Sequence, residues 1–130
     1  MKYLCLIRTE RTYEDLAQDD AAPLVREYRR LTADLRESGQ YLGSHRLLPP
    51  AAATTVRVRN GRVSITDGPY AETKEQLGGY YLIEARDLNE AIQVAARIPG
   101  ARHGCVEVRP VAPDVRLPGD PVPAGTDARA

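Results

Sequence analysis

The chain lacks a net charge, a long apolar run and a cysteine motif, and each absence closes off a class of function. Its 18 Lys and Arg are balanced by 18 Asp and Glu, so there is no net field to draw in a polyanion or an anionic lipid surface. Neither direct nucleic-acid binding nor membrane association is expected. No apolar run approaches the roughly 20 residues that a helical membrane span requires. The chain begins on a strand-like segment rather than a charged-then-apolar leader, so a cytoplasmic protein is expected. Lysine is scarce, two against sixteen arginines, which suits bidentate ion pairs but carries no function by itself. Of the two cysteines, Cys5 and Cys105, neither has Cys-x-x-Cys spacing or a histidine cluster. Both sit in strand-like runs and are expected as buried thiols, with no metal site. Also missing are the Gly-x-Ser-x-Gly elbow, a phosphate-cradling glycine loop and a His-Glu-x-x-His helix. Serine hydrolase, nucleotide and zinc-protease chemistry therefore lack their parts.

What remains is 130 residues with 42% hydrophobic content, enough for one core and too few for two. Residues 1–8 read as a strand, with Tyr3, Cys5 and Ile7 on one face and Leu4 and Leu6 on the other, which predicts burial on both sides. From Ala21 to Ser38, Leu24, Tyr28, Leu31 and Leu35 recur at spacings of four, three and four. That is an amphipathic helix, stopped by Gly39. Residues 41–48 suit a second strand, ended by Pro49-Pro50. Segments 55–59 and 62–66 alternate apolar and polar about Asn60-Gly61, the signature of a two-residue hairpin. Residues 79–85 read as another strand. Asp87, with Glu90 three positions on, caps a helix whose buried stripe is read as Leu88, Ala91, Ile92 and Ala95. Residues 106–109 form a last strand, and the proline-rich 112–130 reads as a flexible tail, or an arm lying on a neighbour, after a domain spanning 1–111.

The order strand, helix, strand, hairpin, strand, helix, strand predicts an α+β fold: a ferredoxin-like split β-α-β arrangement with an inserted β-hairpin. Two helices cover one face of such a sheet. The other face is expected to meet the same face of an identical chain, giving a homodimer.

Between hairpin and strand lies the most distinctive stretch, Asp67-Gly68-Pro69-Tyr70-Ala71-Glu72-Thr73-Lys74-Glu75, running into Gln76-Leu77-Gly78-Gly79-Tyr80-Tyr81. Gly68 and Pro69 turn the backbone sharply after Asp67, leaving either a packed structural loop or a binding loop. These residues, with Val106-Glu107-Val108-Arg109-Pro110, closely resemble the longer members of the YCII-related family, named for an Asp-Gly-Pro-Phe motif. The likeness spans about residues 1–111, with Tyr70 where the family usually has Phe. It implies a dimeric α/β-barrel-like assembly with a cleft in each protomer and a His-Asp active pair, which here falls on His45 and Asp67. Some longer members are encoded beside extracytoplasmic-function sigma factors, so the resemblance also implies a regulatory alternative.

Two functions from different classes follow. In the first, the protein binds a small molecule and performs cofactor-independent acid-base chemistry, proton abstraction or elimination. His45 is the base and Asp67 the carboxylate that orients it and stabilises its imidazolium. Tyr70, Glu72, Lys74 and Tyr81 are candidate ligand contacts, Lys74 toward an anion. In the second, the protein is a ligand-sensing or interaction module that works with a transcription regulator and touches it through 67–78 or the tail. Most of these residues also have a structural reading: His45 as a strand-end residue, Asp67 as the holder of its own turn, Glu72 and Lys74 as members of a solvated loop, Tyr80 and Tyr81 as alternate core and interface residues, and His103 as exposed and inert.

Overall fold

The computed structural model describes residues 1–12, 14, 15 and 21–122. Its elements are β1 (Lys2–Thr9), α1 (Ala22–Glu37), β2 (Tyr41–Arg46), β3 (Thr54–Arg59), β4 (Arg62–Asp67), β5 (Gln76–Glu84), α2 (Leu88–Arg97) and β6 (Gly104–Pro110). Single helical turns lie at Pro50–Ala52 and Pro99–Arg102. Four strands form one sheet in the order β2-β5-β1-β6, every pair antiparallel, and β3 and β4 pair only with each other. This is the α+β, ferredoxin-like order expected, with the hairpin held apart as its own two-stranded sheet.

Local signals set most boundaries. Pro23 stands in the first turn of α1, and its far end closes with Gln40 N–H donating to Leu35 O at 2.9 Å and Gly39 N–H to Arg36 O at 3.2 Å. Those are the paired bonds of a Schellman end. Asp87 accepts from the Glu90 N–H at 2.9 Å and caps α2, as expected. The hairpin turns on Asn60 and Gly61, both at positive φ. Gly68, at φ 96°, turns the chain after β4, and its N–H donates to Ala53 O at 2.7 Å.

The core lies between the helices and one sheet face. Tyr3, Cys5 and Ile7 of β1 and Tyr81 and Ile83 of β5 are buried there, against Leu31 and Leu35 of α1 and Ala91, Val94 and Ala95 of α2. Within one chain only one face of β1 is buried, and Leu4 and Leu6 on the other are partly covered. Several expectations are corrected. Of the stripe read for α2, Ala91 and Ala95 are buried but Leu88 and Ile92 are 48 and 49% exposed, and Val94 takes the place read for Ile92. The helix docks along 91, 94, 95 and 98, so Leu88 and Ile92 fall together on its flank. Cys105 is exposed, not buried, because Val106 and Val108 of edge strand β6 are the residues that pack against the core and alternation turns Cys105 to the other face. Finally, β5 begins at Gln76, inside the stretch read as loop, because Thr9 and Arg8 continue the β1 ladder opposite Gln76 and Leu77. Residues 111–122 contain no helix or strand, and the rest of the proposed tail, 123–130, lies outside the described residues.

Candidate functional site

A cavity of about 570 Å³ lies between α1, the end of β2 with the chain to Pro50, and the segment after β1. One flank of α1 supplies a wall through Val25, Arg29, Thr32, Ala33 and Arg36, residues spaced by four, three, one and three and therefore aligned along the helix. This line runs beside the buried Leu31 and Leu35. On the sheet side stand Ser44 of β2 and Tyr81 of β5, paired in the ladder.

Three tyrosines organise that wall. Tyr28 stacks on Tyr81 with ring centroids 6.5 Å apart and planes 7° from parallel, and Tyr41 meets Tyr81 edge-on at 6.3 Å. Their hydroxyls are engaged: Tyr81 with Thr32 Oγ1 at 2.8 Å, Tyr41 with Ser44 Oγ at 2.8 Å, and Tyr28 accepting the Gly100 N–H at 3.1 Å. Burial pushes the Tyr28 and Tyr81 phenols above their ordinary values, so they remain neutral at physiological pH and act as hydrogen-bonding groups rather than as bases. The Arg36 guanidinium lies over the Tyr41 ring, 4.8 Å from its centre, a cation–π contact that limits its motion.

His45 and Asp67 are not joined within the chain. The His45 Nδ1 lies 2.7 Å from the Tyr80 hydroxyl, and Tyr80 is its ladder partner on β5. Asp67 ends β4 opposite Thr54 and is exposed. The backbone of β2 carries His45 past the cavity, and His45 and Tyr80 both belong to its wall. Residues directly opposite in a ladder share a face, and successive residues alternate. Ser44 and Tyr81 therefore face the helices, whereas the His45–Tyr80 ring pair lies on the face away from α1 and α2. Both rings are accessible there, His45 exposed and Tyr80 half-buried.

The other proposed contacts divide. Tyr81 lines the cavity. Tyr70, 81% exposed, and Lys74 line a shallow depression with Arg8, Glu10 and Glu75 that adjoins the cavity at Glu10. Lys74 stands 3.9 Å from Glu10, and Glu72 is exposed and lines neither concavity. The loop is held from inside, with Gln76 Nε2 donating to Thr73 O at 2.8 Å and Ala71 O at 3.2 Å. His103, read as inert, is exposed at the cavity margin. Sequence reasoning passed over Arg29, Thr32 and Arg36; their line beside the leucine stripe of α1 was the available signal. Among the described residues, no three His, Cys, Asp or Glu side chains are grouped so as to hold a metal ion, and no helix is long and apolar enough to cross a membrane.

An antiparallel α+β sheet with a cavity under its first helix is thus the class that the fold and site define. The YCII-related domain family model matches residues 1–114, and the chain belongs to that family. It is similar to an uncharacterised protein of Rhizobium meliloti (strain 1021), with 45% identity over 78 residues that cover 58% of this chain and 63% of the relative. The chain thus spans less than two thirds of that relative's length.

Proposed function

We propose that this protein binds a small organic molecule in the cavity between α1 and the sheet, and that two copies associate through their uncovered sheet faces. The cavity carries the reading. At about 570 Å³ it falls in the range of roughly 300–1,000 Å³ that small-molecule sites occupy, and it mixes apolar walls with a few polar groups as such sites do. Association is supported by Leu4, Leu6 and Leu82, which sit on the face opposite the core and are only partly covered by their own chain.

The finer part of the proposal is cofactor-independent proton transfer by His45. In one chain the Tyr80 hydroxyl, not Asp67, is placed to orient the ring. Because β2 is an edge strand, a ligand that occupies the cavity and also meets the His45 ring must pass round the end of that strand.

The test is a thermal-shift screen of small metabolites against wild type and Ala33→Trp, with the mass of the assembly measured alongside. Ala33 is on the α1 wall and exposed, so an indole there fills the space without disturbing the core. A compound that stabilises wild type by several degrees and Ala33→Trp not at all is the expected result. Equal stabilisation of both places the ligand elsewhere and removes the cavity reading. With a substrate in hand, His45→Gln should abolish turnover and Tyr80→Phe should lower it more than Asp67→Asn does. Undiminished turnover in His45→Gln ends the acid-base proposal.

A second reading, a non-catalytic module acting beside an extracytoplasmic-function sigma factor, draws on a different observation. Tyr70 on the loop and Val115, Leu117 and Val122 beyond β6 are all exposed, as apolar contacts for a protein partner would be before binding. Truncation after residue 111 that leaves partner binding intact would remove the tail from that reading.

A further inference from the structure

The two sides of α1 treat their charges differently. Toward α2 and the turn after it, two acids of the helix each meet an arginine: Glu27 with Arg102 at 2.8 Å and Asp34 with Arg97 at 2.6 Å. Toward the cavity, Arg29 and Arg36 have no carboxylate within ion-pair distance among the described residues. Among the described residues the cavity wall carries two carboxylates, both engaged: Glu14 with Arg46 at 2.9 Å, and Glu10 toward Lys74 at 3.9 Å. Arg11 and Arg46 also stand in the wall but are themselves engaged, Arg11 with the Asp15 carbonyl and Arg46 with Glu14. Ile7 and Leu77 from the sheet side and Leu24 and Val25 from α1 itself present aliphatic surface to the same space, and Tyr28 a ring.

We infer that the ligand of this cavity is an organic anion with an apolar body, a carboxylate or a phosphomonoester, whose acidic group is taken by Arg29 and Arg36. The inference rests on the cavity being the ligand site and adds the chemical class. A guanidinium presents a planar fork of N–H donors matched to two anionic oxygens, and it keeps its charge at every physiological pH. Arg36 is already positioned by its stacking on Tyr41, so less side-chain freedom is lost when it closes on an anion. The two arginines are seven residues apart, about 10 Å along the helix, so both can reach one headgroup from its two sides with their long side chains, or each can take one end of a longer dianion. The aliphatic wall then sets the body of the ligand. A strongly polar anion such as free phosphate would leave that wall wet and gain little from it.

The experiment compares three probes that share one ring, benzoate, phenyl phosphate and neutral benzamide, by ligand-observed NMR titration of the full chain in wild type, Arg29→Gln/Arg36→Gln and Ala33→Trp. The expected result is at least about tenfold tighter binding of one anion than of benzamide in wild type. In the double variant that preference disappears while benzamide binds as before, and in Ala33→Trp all probes are lost. Whether benzoate or phenyl phosphate binds more tightly distinguishes the two headgroups. The inference is overturned by benzamide binding as tightly as both anions, by the preference surviving in the double variant, or by no anion binding at millimolar concentration. In the first of these the cavity reading stands, because benzamide lost from Ala33→Trp still places a ligand there. Anion binding undiminished in Ala33→Trp overturns both.

Discussion

The four-stranded sheet and the β3–β4 hairpin are made of similar strands and have opposite fates. In β1, Tyr3, Cys5 and Ile7 alternate with less buried residues and disappear under the helices. In the hairpin, Val56 opposite Ile65 and Val58 opposite Val63 build an equally regular apolar face, yet these four are 60, 68, 56 and 65% exposed. The same period-two pattern thus yields a core in one place and a bare surface in the other. Alternation specifies which side chains share a face, and something outside the strand must supply the cover. A two-stranded ribbon alone is of marginal stability in water, so this hairpin relies on its close turn and its anchors at Gly68, where Thr55 Oγ1 donates to Gly68 O at 2.8 Å.

Substitution sharpens the contrast most directly. Ile83→Ala, in a fully buried site, should cost about 2–5 kcal/mol, whereas Ile65→Ala on the hairpin should stay within about 0.5 kcal/mol. Urea unfolding at low protein concentration measures both. Equal costs would break the comparison, and an Ile65→Ala cost that grows with protein concentration would mean that a second chain covers the hairpin.

Backbone spacing gives the next effect. A Cβ on Gly104 would press into the Arg8 carbonyl and the Thr9 Cα, and one on Gly79 would come within 2.8 Å of the His45 carbonyl, while one on Gly43 would meet nothing within 4 Å. Gly104→Ala and Gly79→Ala should each lose about 1–3 kcal/mol, with Gly43→Ala near neutral, as read from thermal or urea midpoints. A tolerant Gly104 would show that the β1–β6 pairing is looser than its register implies.

Alkaline pH probes the same burial. Desolvation raises the Cys5 thiol to about 11 from its ordinary 9.0. The unfolded chain ionises first as pH rises, so stability is fully present below pH 9 and is lost between pH 9 and 11, by up to about 3 kcal/mol for this one group. Tyr28 and Tyr81, also raised chiefly by burial, steepen the same limb. Cys5→Ala should flatten it in a pH series of urea midpoints, and an unchanged slope would show the thiol is not the source.

The smallest effect lies in the cavity wall. Tyr81→Phe removes the bond to Thr32 and should cost about 1 kcal/mol, with the double variant Tyr81→Phe/Thr32→Val costing little more because no hydroxyl is then left without its partner. Additive losses in a double-mutant cycle would show that the two hydroxyls do not depend on each other.

The legible features were those written within a few residues. The Asn60-Gly61 turn, the Leu24–Leu35 spacing closed by Gly39 and the Asp87 cap each act between neighbours at most about four positions apart, and each stands where its residues indicate. The reading of α2 slipped because Leu88, Ile92 and Val94 are equally apolar, and only docking on the sheet selects among them. Cys105 was misplaced because edge strand β6 is covered on one face alone. At the site, Asp67 was an apparent neighbour of His45 by order along the chain, but the register of β2 on β5 gives the ring to Tyr80, 35 residues away.

By itself, then, the amino-acid sequence determined the elements, their order and the family, because hydrogen bonds and apolar periodicity within a helix or turn depend on residues close in the chain. Only the tertiary structure decided that Tyr28, Thr32, Ser44 and Tyr81 line one cavity, that Arg29 and Arg36 reach it with no carboxylate paired to them among the described residues, and that the His45 ring faces away from α1 and α2. Those outcomes follow from strand register and helix docking, whose contacts join residues far apart in sequence and leave no local trace in it.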